Sequence, residues 1–170
     1  MTATLHSKTI VTDPFVEYGV TPNAGTVALQ NANDIAIYPF TLPYEMEITN
    51  IGVFIGVGDG SNDSDIGIYD IDGNLLGHVG AQHISSASAQ LLALTGGPIV
   101  LGPGTYLLAF TSAATTLMWA VSDASYPLTL FSTSTSSSGG ALPSTITVAQ
   151  SISEDVAAPH SGYPPVMILT

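Results

Sequence analysis

The densest group of potential ligand atoms in this sequence lies at residues 59–65, which read Asp-Gly-Ser-Asn-Asp-Ser-Asp. Asp59, Asp63 and Asp65 are interspersed with Ser and Asn oxygens, and no basic residue lies nearby to neutralise them. Loops of this kind can bind calcium, which accepts about six to eight oxygen ligands in loose geometry. The segment departs from an EF-hand loop because the closing Glu and the flanking helices are missing. The pattern favours a solvated hairpin loop and leaves a calcium site formed by these three carboxylates as the alternative. No other cofactor is predicted.

The remaining residue types that enzymes use form no recognisable constellation. The four histidines are scattered, and the spacing of His78 and His83 across Gly80 matches no metal-binding helix face. The chain has no cysteine, which excludes disulfides, thiol nucleophiles and thiolate metal sites. It also has no Gly-x-Ser-x-Gly elbow of the type that exposes a serine nucleophile. The sequence therefore predicts a protein without catalytic residues, and a glycan-active enzyme with paired carboxylates stays open as the third hypothesis, after a carbohydrate-binding module.

Aromatic side chains offer a second kind of chemistry, because an exposed ring can stack on a sugar face. Trp119 lies in an apolar segment, which favours a place in the core. Tyr126, next to Pro127, and Tyr163, between Gly162 and Pro164, are better candidates for exposed rings. These two tyrosines are the predicted ligand-binding residues if the protein is a carbohydrate-binding module.

The charge balance restricts the partners of this protein. The 170-residue chain has 13 acidic residues and a single basic one, Lys8, so the formal net charge is -12. Because phosphate contacts depend on Lys and Arg, nucleic acid and anionic membrane surfaces are excluded as partners. Charged residues make up only 8% of the sequence, which leaves little charge to solvate the surface. Part of that surface is therefore expected to lie against other subunits, and we predict a homo-oligomer.

The frequent glycines and prolines, and the short runs between them, predict an all-β fold. Seventeen glycines and eleven prolines separate short runs rich in Val, Ile, Thr, Tyr and Phe, as in sandwiches and barrels. The number of runs predicts a two-sheet, jelly-roll-like β-sandwich over residues 25–170, preceded by an extended N-terminal arm over residues 1–24. Predicted strands cover residues 26–29, 35–41, 47–55, 65–71, 75–79, 90–94, 99–101, 105–111, 117–121, 127–132, 144–149 and 166–169.

Three connections are distinctive. Asp72-Gly73 predicts a tight hairpin turn, because glycine accepts the positive φ that such a turn needs. Gly102-Pro103-Gly104 predicts a turn into a central strand that begins at Thr105. Residues 132–140 form a Ser- and Thr-rich tract of low complexity, for which an exposed flexible loop is expected. The N-terminal residues lack a signal-peptide pattern, and no apolar run is long enough to span a membrane.

Two segments resemble a known group of proteins. Residues 66–76 (Ile-Gly-Ile-Tyr-Asp-Ile-Asp-Gly-Asn-Leu-Leu) resemble the strand–turn–strand pattern of β-sandwich domains in bacteriophage fibre, spike and other virion proteins. Residues 98–110 (Pro-Ile-Val-Leu-Gly-Pro-Gly-Thr-Tyr-Leu-Leu-Ala-Phe) resemble the segment that follows in those domains. Similar patterns also occur in secreted sugar-binding sandwiches.

The resemblance implies a virion-borne jelly roll without catalytic residues. A protein of this kind serves as capsid decoration, fibre or host-attachment component, in contact with copies of itself, with other virion proteins or with a host-surface glycan. The carbohydrate-binding module is the alternative. The missing signal-peptide pattern favours the virion as the location.

Overall fold

The computed structural model describes residues 10–11, 26–29, 31–120, 132–133, 135–149 and 167–169. These residues form strands and contain no helix, which confirms the predicted all-β class. No helix that could cross a membrane occurs in this part of the chain. The strands in chain order are β1 (Ile10–Val11), β2 (Thr26–Ala28), β3 (Ile35–Leu42), β4 (Met46–Ile48), β5 (Asn50–Val57), β6 (Asp59–Tyr69), β7 (Leu75–His78), β8 (Gln82–Ile84), β9 (Ala89–Ala93), β10 (Ile99–Leu101), β11 (Gly104–Ser112), β12 (Met118–Ala120), β13 (Ser132–Thr133), β14 (Val148–Ala149) and β15 (Met167–Leu169).

The first sheet is organised around β5. This strand pairs antiparallel with β9, β12 and β15, while β1 extends the sheet from β15 and β2 extends it from β12. Thr49 alone separates β5 from β4, and β4 pairs with β10. The strand predicted over residues 47–55 is therefore two strands, each with a partner of its own.

The second sheet has the order β3-β11-β6-β7, with β8 also paired to β6. β11 pairs along its length with β3 on one edge and with β6 on the other, so the predicted central strand after Gly104 is confirmed. The predicted hairpin between β6 and β7 is confirmed as well. Gly73 adopts a φ of 88° there, and its amide donates to the carbonyl of Asp70 at 3.1 Å.

The main core lies between the two sheets. Alternate residues of a strand face opposite sides of its sheet, so each strand contributes every second side chain to this layer. The first sheet and the β4–β10 pair contribute Met46, Ile48, Ile51, Val53, Ile55 and Leu101, and the second sheet contributes Phe40, Leu42, Ile66, Ile68, Leu108 and Phe110. Packing of this kind is typical of a β-sandwich.

A second apolar layer covers the outer face of the second sheet. Residues 135–148, which we call the strap, run from the turn at Asn33 to the β6–β7 hairpin. Leu142 and Ile146 of the strap pack against a cluster that the sheet provides, namely Ile35, Ile37, Tyr69, Leu107 and Ala109. Because one apolar face meets the first sheet and the other meets the strap, the strands of this sheet are buried on both sides.

The strap corrects the expectation of an exposed loop at residues 132–140. Ser137 is buried and shares a 2.6 Å hydrogen bond with Thr111, and Gly140 is buried against β6. β13, at the start of the tract, pairs with β14. Ser136, Ser138 and Gly139 are exposed as expected, whereas Ser137 and Gly140 are buried, the former because its hydroxyl has a partner on the sheet.

Several other strand predictions need adjustment. β6 begins at Asp59, six residues earlier than predicted, and β8 was not predicted at all. Of the strand predicted over residues 144–149, only β14 and an isolated bridge between Thr145 and Asn74 are present. Within the predicted N-terminal arm, β1 pairs with β15 of the same chain. The other residues of that arm lie outside the described residues, as do residues 127–131 of the strand predicted over residues 127–132.

Candidate functional site

The acidic segment is a strand rather than the predicted loop. Residues 59–69 form β6, and the pairing of β6 with β8 is irregular between Asp59 and Asp63. This bulge allows Gly60, Ser61 and Asn62 to leave the ladder while both ends stay paired. The three carboxylates are thereby directed to three different sets of partners. No group of three or more His, Cys, Asp or Glu side chains that could hold a metal occurs in the described segments.

The carboxylate of Asp59 is hydrogen bonded mainly within its own turn. Its carboxylate accepts hydrogen bonds from the amides of Ser61 (2.8 Å) and Asn62 (3.1 Å), from the Asn62 side chain (3.0 Å) and from the Thr116 hydroxyl. The Thr116 hydrogen bond and then the Ser61 amide lower the pKa of Asp59 to about 2, against the opposing effect of burial. This carboxylate fixes the bulge of β6 to the segment that follows β11.

We expect this carboxylate to contribute stability that disappears in acid. Its folded pKa lies below the unfolded value near 3.8, so the contribution is complete above about pH 4 and is lost as the pH falls through 2. Thr116→Val should lower the free energy of unfolding at pH 7 by about 1 kcal/mol, allowing for solvent screening, and should flatten the slope between pH 4 and 2. Urea unfolding across this range measures both effects. Thr115→Val, at the exposed neighbouring position, is the control, and an equal effect there would contradict the assignment.

Asp63 lies at the surface. Its Oδ1 is 3.2 Å from Nε2 of His83 on β8, and both side chains are about half exposed. Exposed ion pairs of this kind contribute little to stability. We therefore expect the Asp63–His83 contact to be solvated and to contribute little to stability.

Asp65 is completely buried, in contrast to Asp63. Its Oδ2 accepts a 2.7 Å hydrogen bond from Nδ1 of His78 on β7 and a 3.1 Å bond from the amide of Leu142 in the strap. Its Oδ1 is buried without a hydrogen-bond partner. Among the described residues, His78 is the basic side chain in contact with this buried carboxylate.

The Asp65–His78 pair has the orientation of a carboxylate that holds an imidazole. In catalytic triads such a carboxylate fixes the ring so that its second nitrogen can act on a nucleophile. Here Nδ1 of His78 donates to Asp65, and the carbonyl of His78 accepts from the Thr95 amide. The geometry supports a structural role, because the same carboxylate also accepts from the strap.

Further polar contacts hold the strap beside this pair. Thr111 donates to the carbonyl of Asp34 at 2.8 Å and shares a hydrogen bond with Ser137. The amide of Gly140 donates to the side chain of Asn33 at 3.1 Å. At the other end, the hydroxyl of Tyr69 donates to the carbonyl of Pro143 at 2.6 Å. The strap is therefore fastened by side chains of β6 and β11 and by Asn33, which precedes β3.

The sequence contained a signal for the Asp65–His78 pair that spacing between histidines does not reveal. The Asp72-Gly73 turn places β7 antiparallel to β6, with His78 opposite Gly67. Asp65 is two residues further along the same face, so it is a diagonal neighbour within reach of a long side chain. The register of this hairpin therefore predicts that Asp65 and His78 are in contact.

The two predicted ligand-binding tyrosines are not among the described residues. Tyr126 and Tyr163 lie outside the described residues, as do His6 and His160. Trp119 is part of β12, opposite Val27 of β2 and Ile55 of β5.

Comparisons with protein-family models, with curated proteins and with solved structures each found no match to this chain.

Proposed function

We propose that this protein is a non-enzymatic structural subunit of a virion, of the capsid-decoration, fibre or host-attachment class, and that it works as a homo-oligomer. The observation that carries the proposal is the exposure of large apolar side chains on β9 and β10. Leu91 is 63% exposed and Val100 is 60% exposed, although each lies in a well-paired strand. Large side chains exposed on paired strands mark a surface that other subunits can cover.

The charge distribution supports the same role. From residue 73 to residue 122 the chain contains no Asp, Glu, Lys or Arg. This stretch includes β9 and β10 and continues through the central strand β11. Copies of a chain with a net charge of -12 repel one another, and β9, which pairs with the uncharged residues 50–54 of β5, is where they can approach most closely.

Two segments resemble virion sandwich domains. Both lie in paired strands and the turns that connect them. Residues 66–76 form the end of β6, the hairpin turn and the start of β7, and residues 98–110 form β10, the next turn and most of β11. β6, β7 and β11 are neighbours in the second sheet. The shared pattern therefore encodes turns and paired strands, which agrees with a role in assembly.

Two measurements on the full chain test the proposal. Mass spectrometry of particles purified from the source should detect this chain as a stoichiometric component, and multi-angle light scattering of the recombinant protein should show a defined oligomer. A monomer that is absent from particles would contradict the proposal. Binding to a glycan array that disappears in Tyr126→Ala or Tyr163→Ala would instead establish the carbohydrate-binding module.

A further inference from the structure

β9 has one edge without a partner strand in the described part of the chain. The amide of Leu94 donates to Thr49 and the amide of Ile55 donates to the carbonyl of Ser88, which identifies the hydrogen-bonded pairs of the β5–β9 ladder. Such pairs alternate with pairs whose N–H and C=O groups point away from the neighbouring strand. Ala89, Leu91 and Ala93 occupy these alternate positions, so their backbone groups point to the open edge.

The same three residues also have exposed side chains. Proteins protect an open edge with Pro, Lys, inward charges or a covering segment, because unpaired backbone groups recruit other strands. β9 reads Ala-Gln-Leu-Leu-Ala and has none of the protecting residue types. Its backbone and its outer side chains are therefore both suited to a further strand.

We propose that the occupant of this edge is β9 of a second copy, paired antiparallel about a two-fold axis at Leu91. This arrangement places Leu91 opposite the partner's Leu91, and it places Ala89 opposite Ala93 of the partner subunit. All three residues direct their backbone groups outwards, so the pairing forms about six hydrogen bonds between copies and joins the two first sheets into one. The inference rests on the assembly role proposed above and names the interface.

Charge is the reason to expect a second copy in preference to another partner. A basic partner would be drawn to the carboxylates elsewhere on the chain, whereas β9 lies in the stretch without any charged residue. Two copies can meet at this edge without placing like charges opposite each other. A contact through the β6–β7 turn, by contrast, would bring Asp70 and Asp72 of the two copies together.

A cysteine cross-link tests the register directly, because the natural chain has no cysteine. In a hydrogen-bonded antiparallel pair the opposing Cα atoms are about 5.5 Å apart, which a disulfide can span. Leu91→Cys should therefore give a covalent dimer under mild oxidation. Ala93→Cys should not, because the two copies of residue 93 would lie roughly 14 Å apart. Ile71→Cys, exposed on the β6–β7 turn, is the surface control.

A second variant tests the strength of the contact. Leu91→Asp places two carboxylates opposite each other and should weaken dimerisation about tenfold or more, as measured by sedimentation velocity. Ile71→Asp should leave it unchanged. An oligomer that survives Leu91→Asp and does not cross-link through Leu91→Cys would overturn this interface but not the assembly role. A wild-type chain that is monomeric at all concentrations would overturn both.

Discussion

Gly140→Ala should cost this protein about 3 kcal/mol of folding free energy and lower its melting temperature by roughly 10 °C. Gly140 has a φ of 74°, and a Cβ atom there would overlap the backbone carbonyl of Asp63 and approach the Ala113 nitrogen to 3.0 Å. These are backbone atoms of a residue within β6 and of the residue that follows β11, so no side-chain rotation relieves the overlap. The strap would have to move and would lose the hydrogen bond to Asn33.

The adjacent glycine provides the matched control. Gly139 also has a positive φ, 59°, but no atom lies within 4 Å of the position of its Cβ. Gly139→Ala should therefore cost only the left-handed backbone strain, about 1 kcal/mol. Urea unfolding of both variants measures the difference, and hydrogen exchange should show lost protection in residues 135–148 for Gly140→Ala. Equal losses in the two variants would show that close packing of the strap contributes nothing.

The features that could be predicted from the sequence are those whose causes are local. The Asp72-Gly73 hairpin depends on the backbone freedom of one glycine, and the central position of β11 follows from its unbroken apolar run after Gly104. The all-β class follows in the same way from many short runs separated by turn residues. Each of these needs no knowledge of a distant partner.

The features that could not be predicted depend on partners far away in the chain. Residues 59–65 appeared to be a loop because strands seldom contain so many polar residues, yet Ser64 hydrogen bonds to Ser112 at 2.9 Å and Asp65 to the strap. Ser137 is buried for a similar reason, because it meets Thr111 and the Asn33 carbonyl. Polar residues become compatible with burial when such partners exist, and a local pattern does not contain that information.

His78→Ala should be the second strongly destabilising change, with a loss of about 3 kcal/mol. The substitution leaves the Asp65 side chain with one hydrogen bond, from the Leu142 amide. Removing the partner of a buried carboxylate is costly because the remaining charge has lost its compensation. His83→Ala removes the corresponding group from Asp63 at the surface, and its cost should stay below about 0.5 kcal/mol.

A double-mutant cycle separates this loss of charge compensation from a simple loss of packing. Asp65→Asn removes the buried charge but retains an acceptor oxygen for the Leu142 amide, so it should cost about 1 kcal/mol in the wild-type background. In the His78→Ala background the same change should instead recover part of the lost stability, because it neutralises the uncompensated carboxylate. Urea unfolding of the four proteins gives the coupling energy. Additive losses would mean that the imidazole contributes packing alone. A recovery of stability on the second substitution would mean that His78 compensates the buried charge of Asp65, in a chain almost devoid of cations, and so helps to hold the strap.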